Sequence, residues 1–106
     1  MSYRFMRVIV FFDLPTETRE DRREYSRFHR LLTKNGFLMM QESVYCRMLI
    51  TPTAGQAVTD AIRKHRPPKG IVQVMTVTEK QFAKIEMITG EFHSEVLTGD
   101  ERVVIL

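Results

Sequence analysis

Cysteine is nearly absent: Cys46 is the one thiol in 106 residues. That excludes an internal disulfide framework and a Cys-rich zinc centre, and it points to a reducing, cytoplasmic setting. Long apolar runs are missing too; those present are strand-sized, so no membrane partner is expected. Met1-Ser2-Tyr3-Arg4 leads straight into the first of them without the apolar stretch and small-residue cleavage site of a signal peptide. There is no Gly-rich phosphate loop, no H-E-x-x-H and no nucleophile elbow, which leaves P-loop, zincin and serine-hydrolase chemistry without a carrier.

What remains is an ordinary globular composition, with 43% hydrophobic and 27% charged residues. The length fits a single domain spanning 1–106, near the size at which a partner often completes the core. A formal net charge of +3 is compatible with a polyanion partner without requiring one.

The chain is organised around Met6 to Pro15, M-R-V-I-V-F-F-D-L-P. Met6, Val8, Val10 and Phe12 point one way and Ile9, Phe11 and Asp13 the other, so both faces of this strand need cover. Pro15 stops the ladder, which leaves Asp13 at the carboxyl end of a central strand, a common place for ligands in open sheets. A turn-capping Asp accounts for the same pattern equally well.

Thr16 to Asn35 reads as a helix, capped by Thr16 or Thr18, with acids in its first turn and Asn35-Gly36 as its stop. Tyr25, Phe28, Leu31 and Leu32 fall on one face. Arg19, Arg23, Arg27, Arg30 and Lys34 line the opposite one, either as a solvated helix back partly neutralised by Glu20 and Glu24, or as a row that tracks phosphates.

Phe37 to Met40 and Val44 to Ile50 are two further strands around Gln41-Glu42-Ser43. Pro52 and the capping-box spacing of Thr53 with Gln56 announce a second helix, whose buried stripe is Ala57, Val58, Ala61 and Ile62. It ends before Pro67-Pro68 in a basic exit, Arg63, Lys64, His65, Arg66 and Lys69, which suits the negative end of a helix even with no nucleic acid present. Ile71 to Val77 is a β-branched strand. Thr78 with Gln81 then marks one turn of helix to about Lys84, Ile85 to Ile88 a short strand, 91–100 a loop and Val103 to Leu106 a terminal strand. That last strand has the character of an arm that pairs with another subunit.

The predicted class is therefore α+β: a ferredoxin-like split βαβ (βαββαβ) with appended C-terminal strands. Two helices cover one face of a four-stranded sheet. The second face, with Ile9 and Phe11 and either Ile71 and Val77 or Val72 and Val74, stays apolar, so a homodimer joined through it is expected.

Phe12-Asp13-Leu14-Pro15, Asn35-Gly36-Phe37, Gln41-Glu42-Ser43-Val44-Tyr45, Thr76-Val77-Thr78-Glu79-Lys80-Gln81-Phe82 and the ending Asp100-Glu101-Arg102-Val103-Val104-Ile105-Leu106 occur in this order along nearly the whole chain. Together they resemble the CRISPR-associated protein 2 family, in the form that accompanies Cas9-type systems. The resemblance implies a cytoplasmic homodimer that takes part in spacer capture as a scaffold on duplex DNA between integrase subunits. It also implies a metal-dependent nuclease acting on RNA or duplex DNA. By motif, Asp13 would be the catalytic and metal-binding residue, holding Mg²⁺ or another divalent metal shared across the dimer. Ser43 would support that site by a hydrogen bond to backbone or phosphate, or serve only the strand junction. His29, His65 and His93 are weaker candidates, and the seven methionines read as adaptable core and interface fillers.

Overall fold

The computed structural model of the chain describes residues 5–90. Its elements are β1 (Met6–Asp13), α1 (Arg19–Lys34), β2 (Leu38–Gln41), β3 (Val44–Leu49), α2 (Pro52–Lys64), β4 (Ile71–Thr78) and α3 (Glu79–Phe82). The strands form one sheet in the order β2-β3-β1-β4, antiparallel at every neighbouring pair. This is the expected ferredoxin-like order, with α1 and α2 as the two crossovers. Among the described residues no helix is long and apolar enough to cross a membrane.

Alternation along β1 decides how the layers stack. Val8, Val10 and Phe12 enter the main core with Phe28 and Leu32 of α1, Phe37, Tyr45 and Leu49, and Val58 and Ile62 of α2. Phe12 sits edge-on to Phe28, with ring centroids 5.2 Å apart, and to Tyr25 at 6.0 Å. Both long helices therefore cover one face, and Val72 and Val74 of β4 belong to that side. The second face carries Arg7, Ile9, Phe11 and Asp13 of β1, which the register sets beside Val77, Met75, Gln73 and Ile71 of β4.

That second face is not wholly bare. Arg7 is only 4% exposed and lies under α3. Its Nε and Nη2 donate to the Glu79 carboxylate at 2.9 and 2.8 Å, and its Cζ stands 4.3 Å above the Phe82 ring. Phe82 in turn packs with Ile9 and Cys46. Burial works against the Arg7 charge, but the Glu79 partner outweighs it and raises the guanidinium pKa further. For Cys46 burial dominates and pushes the thiol up, so it is an inert interior group.

Local capping follows the sequence in α1. The Thr18 hydroxyl accepts from the Asp21 amide at 3.0 Å, and Asp21 Oδ2 accepts from the Thr18 amide at 3.2 Å. The chain stops at Asn35, and Gly36 follows at φ 86°. In α2 the expected box of Thr53 and Gln56 does not form. Thr51 is the cap, accepting from the Ala54 amide at 3.2 Å, while the Gln56 side chain donates to Asp60 at 3.0 Å. Pro52 explains the shift: it lacks an N–H and has a helical φ, so it belongs at the first helical position and the cap falls before it. Thr78 and Gln81 do form their box, at the start of α3.

Residues 85–88 make no strand. The Ile85 amide donates to Phe82 in the turn that leaves α3. Because α3 carries the chain over the second face, this segment has no ladder to join. The loop at 91–100 and the terminal strand at 103–106 lie outside the described residues.

Asp21 links the cap to the pH dependence of stability. The Thr18 amide, assisted by Lys69 Nζ at 3.3 Å, holds its carboxyl below the usual range against the opposing effect of burial. A depressed folded-state pKa stabilises above the unfolded value and is lost as pH falls through the folded one. Melting temperature should therefore drop on acidification below about pH 4. In Asp21→Asn that acid limb should flatten, as thermal melts of both chains across the acid range would report.

Candidate functional site

Asp13 ends β1 on the second face, next to Phe11 and in register with Ile71. It is exposed, and among the described residues its carboxylate makes no hydrogen bond or ion pair. The backbone around it is set from two sides. Gly70, at φ 90°, comes so close that an added Cβ would stand 2.6 Å from the Asp13 carbonyl oxygen and 2.8 Å from Leu14 Cδ2. Ser43, at φ 67°, accepts the Phe12 amide on its carbonyl at 3.1 Å. So Ser43 serves the strand end through its backbone, and its hydroxyl makes no hydrogen bond among the described residues.

Within one chain the site is poor in ligands. Among the described residues no group of three or more His, Cys, Asp or Glu side chains could hold a metal ion. His29 packs edge-on against Tyr45, centroids 5.6 Å apart, and His65 is the C-cap of α2. His93 is outside the described residues.

The basic residues divide into two sets. Arg27 donates to Glu24 at 2.8 Å and to the His65 carbonyl at 3.1 Å, which ties α1 to the exit of α2. Arg63 pairs with Asp60, Arg66 donates to the Arg63 carbonyl, and Lys69 pairs with Asp21. By contrast Arg19, Arg23, Arg30, Lys34 and Lys64 are exposed and make no side-chain hydrogen bond or ion pair among the described residues. The α1 members of this second set stand on the side opposite the buried Asp21, Phe28 and Leu32.

Two residues that shape the site escaped the sequence reading. Gly70 stands just before the strand read at Ile71, and its closeness to Asp13 is a tertiary contact. Arg7 sits in an apolar strand, and an unpaired cation at a buried strand position was the available clue to a distant carboxylate.

Fold and site together define a small ferredoxin-like protein with a lone carboxylate at the end of its central strand and a basic helix back. The family model described as CRISPR associated protein Cas2 matches residues 6–85. CRISPR-associated endoribonuclease Cas2 of Treponema denticola is 52% identical over 101 residues, covering 95% of this chain and 100% of that protein. The proteins of the same name from Streptococcus mutans serotype c, strain UA159, and Ligilactobacillus salivarius are 40% and 39% identical, each over 95% of this chain and over 93% and 100% of their own lengths. A crystal structure of a Cas2 protein matches with a TM-score of 0.60 at 19% identity, covering 96% of this chain and 98% of that one, and supports the fold. The chain belongs to the CRISPR-associated Cas2 family.

Gly70→Ala puts a methyl group against the Asp13 carbonyl at a backbone angle that side chains rarely adopt. It should destabilise the fold by about 2 kcal/mol. A melting temperature lower by several degrees, with the largest gain in amide exchange at Asp13 and Leu14, is the expected readout.

Proposed function

We propose that the chain is an adaptation subunit of a CRISPR system, a cytoplasmic homodimeric scaffold that holds duplex DNA by its phosphates and bridges integrase subunits during spacer capture. The observation that carries this reading is the row Arg19, Arg23, Arg30 and Lys34, free of protein partners among the described residues and directed away from the core. At 1.5 Å per residue the row runs about 22 Å along α1, long enough to follow several phosphates. Contacts of this kind fix the protein on the duplex without reading sequence, as a scaffold for varied DNA requires.

The second copy would seat on the open part of the second face. Ile71, Met75 and Leu38 are 55%, 46% and 44% exposed there, and all three lie on the Asp13 side of the sheet. An apolar patch flanking an unpartnered carboxylate suits a self-complementary contact in which two Asp13 residues approach each other.

A second reading, metal-dependent cleavage of RNA or DNA, is favoured by the endoribonuclease name of the relatives and by the free Asp13 carboxylate. Mg²⁺ commonly takes one or two carboxylates and completes its shell with water and phosphate oxygens, so a pair of Asp13 residues fits it where a single chain does not. When bound, the ion supplies charge stabilisation for phosphodiester hydrolysis. Asp13 would hold it, Ser43 and Gly70 would fix the backbone that aims Asp13, and Phe11 and Ile71 would keep water from the flanks.

Reversing Arg19 and Arg23 to Glu should weaken duplex binding and lower the slope of log affinity against log salt by at least about 1.8, the share of two phosphate contacts. Fluorescence anisotropy across a salt series tests this, and unchanged binding would count against the scaffold. Asp13→Asn should bind duplex as the parent chain does but lose Mg²⁺-dependent cleavage of a labelled RNA. Cleavage at the parent rate by a folded, paired Asp13→Asn chain removes the nuclease reading.

A further inference from the structure

The second face is unevenly covered. Its rows across the sheet are Met48, Arg7 and Val77; then Leu38, Cys46, Ile9 and Met75; then Gln41, Val44, Phe11 and Gln73; and finally Asp13 and Ile71. α3 lies over the middle of the first two. Glu79 grips Arg7, and Phe82 covers the guanidinium, Ile9 and Cys46. Nothing among the described residues covers Asp13, Gln73 or Ile71, all of which are exposed. A four-residue helix has little stability of its own, so the fork-shaped grip of Glu79 on Arg7 is what fixes it to the sheet.

We infer that α3 is a stop that sets where a second copy seats, and that Arg7, Glu79 and Phe82 are positioning residues that bring the two Asp13 carboxylates together. This rests on the reading that two chains pair through the second face. A two-fold axis between facing sheets lies in the plane between them, and its limiting directions are along the strands and across them. Along the strands, the two α3 helices meet at one end and wedge the sheets apart, so the close approach falls at Asp13. Across them, each α3 blocks the Arg7 end of its own sheet, so only the Asp13 ends overlap. Without the stop, a crossed pair would centre on Ile9 and leave the two Asp13 residues roughly 27 Å apart, at about 3.4 Å per residue. The Arg7 clamp thus acts on the site through the placement of the partner, with no contact to a substrate.

Cross-linking at the strand end tests this. The full chain carrying Asp13→Cys is treated with a short bismaleimide, alone and combined with Phe82→Ala or with Glu79→Gln, while solution mass and circular dichroism are followed in parallel. The controls are the parent chain, whose Cys46 is buried, and each clamp variant without Asp13→Cys, since Phe82 covers that thiol. Asp13→Cys should run as two chains and cross-link efficiently. In both clamp combinations the cross-linked fraction should fall about tenfold while the chains stay folded and paired, as happens when geometry separates two reactive groups. Glu79→Gln keeps the side chain's shape and carries the comparison if Phe82→Ala does not fold. Equal cross-linking in the clamp variants overturns the inference and leaves the pairing standing. Clamp variants that separate into single chains also overturn it, because the clamp would then hold the pair rather than place it. Single chains with the clamp intact remove the pairing reading itself.

Discussion

Strand β1 runs through the middle of the sheet with Val8, Val10 and Phe12 on one side and Arg7, Ile9 and Phe11 on the other, and neither side suits water. The two long helices meet that constraint on one face only. On the other, the chain spends its third helix on Arg7 and Ile9 and leaves the Asp13 end open among the described residues. The uneven division puts the one free carboxylate of the strand end beside exposed Ile71 and Gln73. Placement of the site is thus a consequence of how the sheet is covered.

The same economy governs the cations. A positive side chain near a carbonyl or carboxylate is drawn into the fold, as Arg27 is by Glu24 and the end of α2, and Lys69 by Asp21. Those on the far side of α1 find no such partner among the described residues, so their charge stays in water. Surface pairs such as Arg63 with Asp60 contribute little to stability. The two α1 sets are not interchangeable: replacing Arg27 disturbs a helix junction, whereas replacing Arg19 removes only charge.

Features encoded within a few residues were legible in the sequence. The βαββαβ order, the Asn35-Gly36 stop, the Thr78-Gln81 box and the position of Asp13 before Leu14-Pro15 all follow from short-range rules. The α2 cap falls on Thr51 and not on the expected Thr53 because two threonines flank Pro52, and the helix rule favours the one before the proline. The strand expected at 85–88 failed for a tertiary reason, since α3 turns the chain across the sheet. Arg7 and Glu79 are 72 positions apart, and no periodicity connects them. The approach of Gly70 to Asp13 is likewise visible only once β1 and β4 are paired. Of the candidate site, then, Asp13 and the junction at Ser43 could be read, whereas Gly70 and the Arg7 clamp could not.

If the open end of the second face is closed by another copy of the chain, the full-length protein must associate at modest concentration. Sedimentation equilibrium across the micromolar range reads this directly. The account predicts a mass of two chains. A single-chain mass throughout would contradict it.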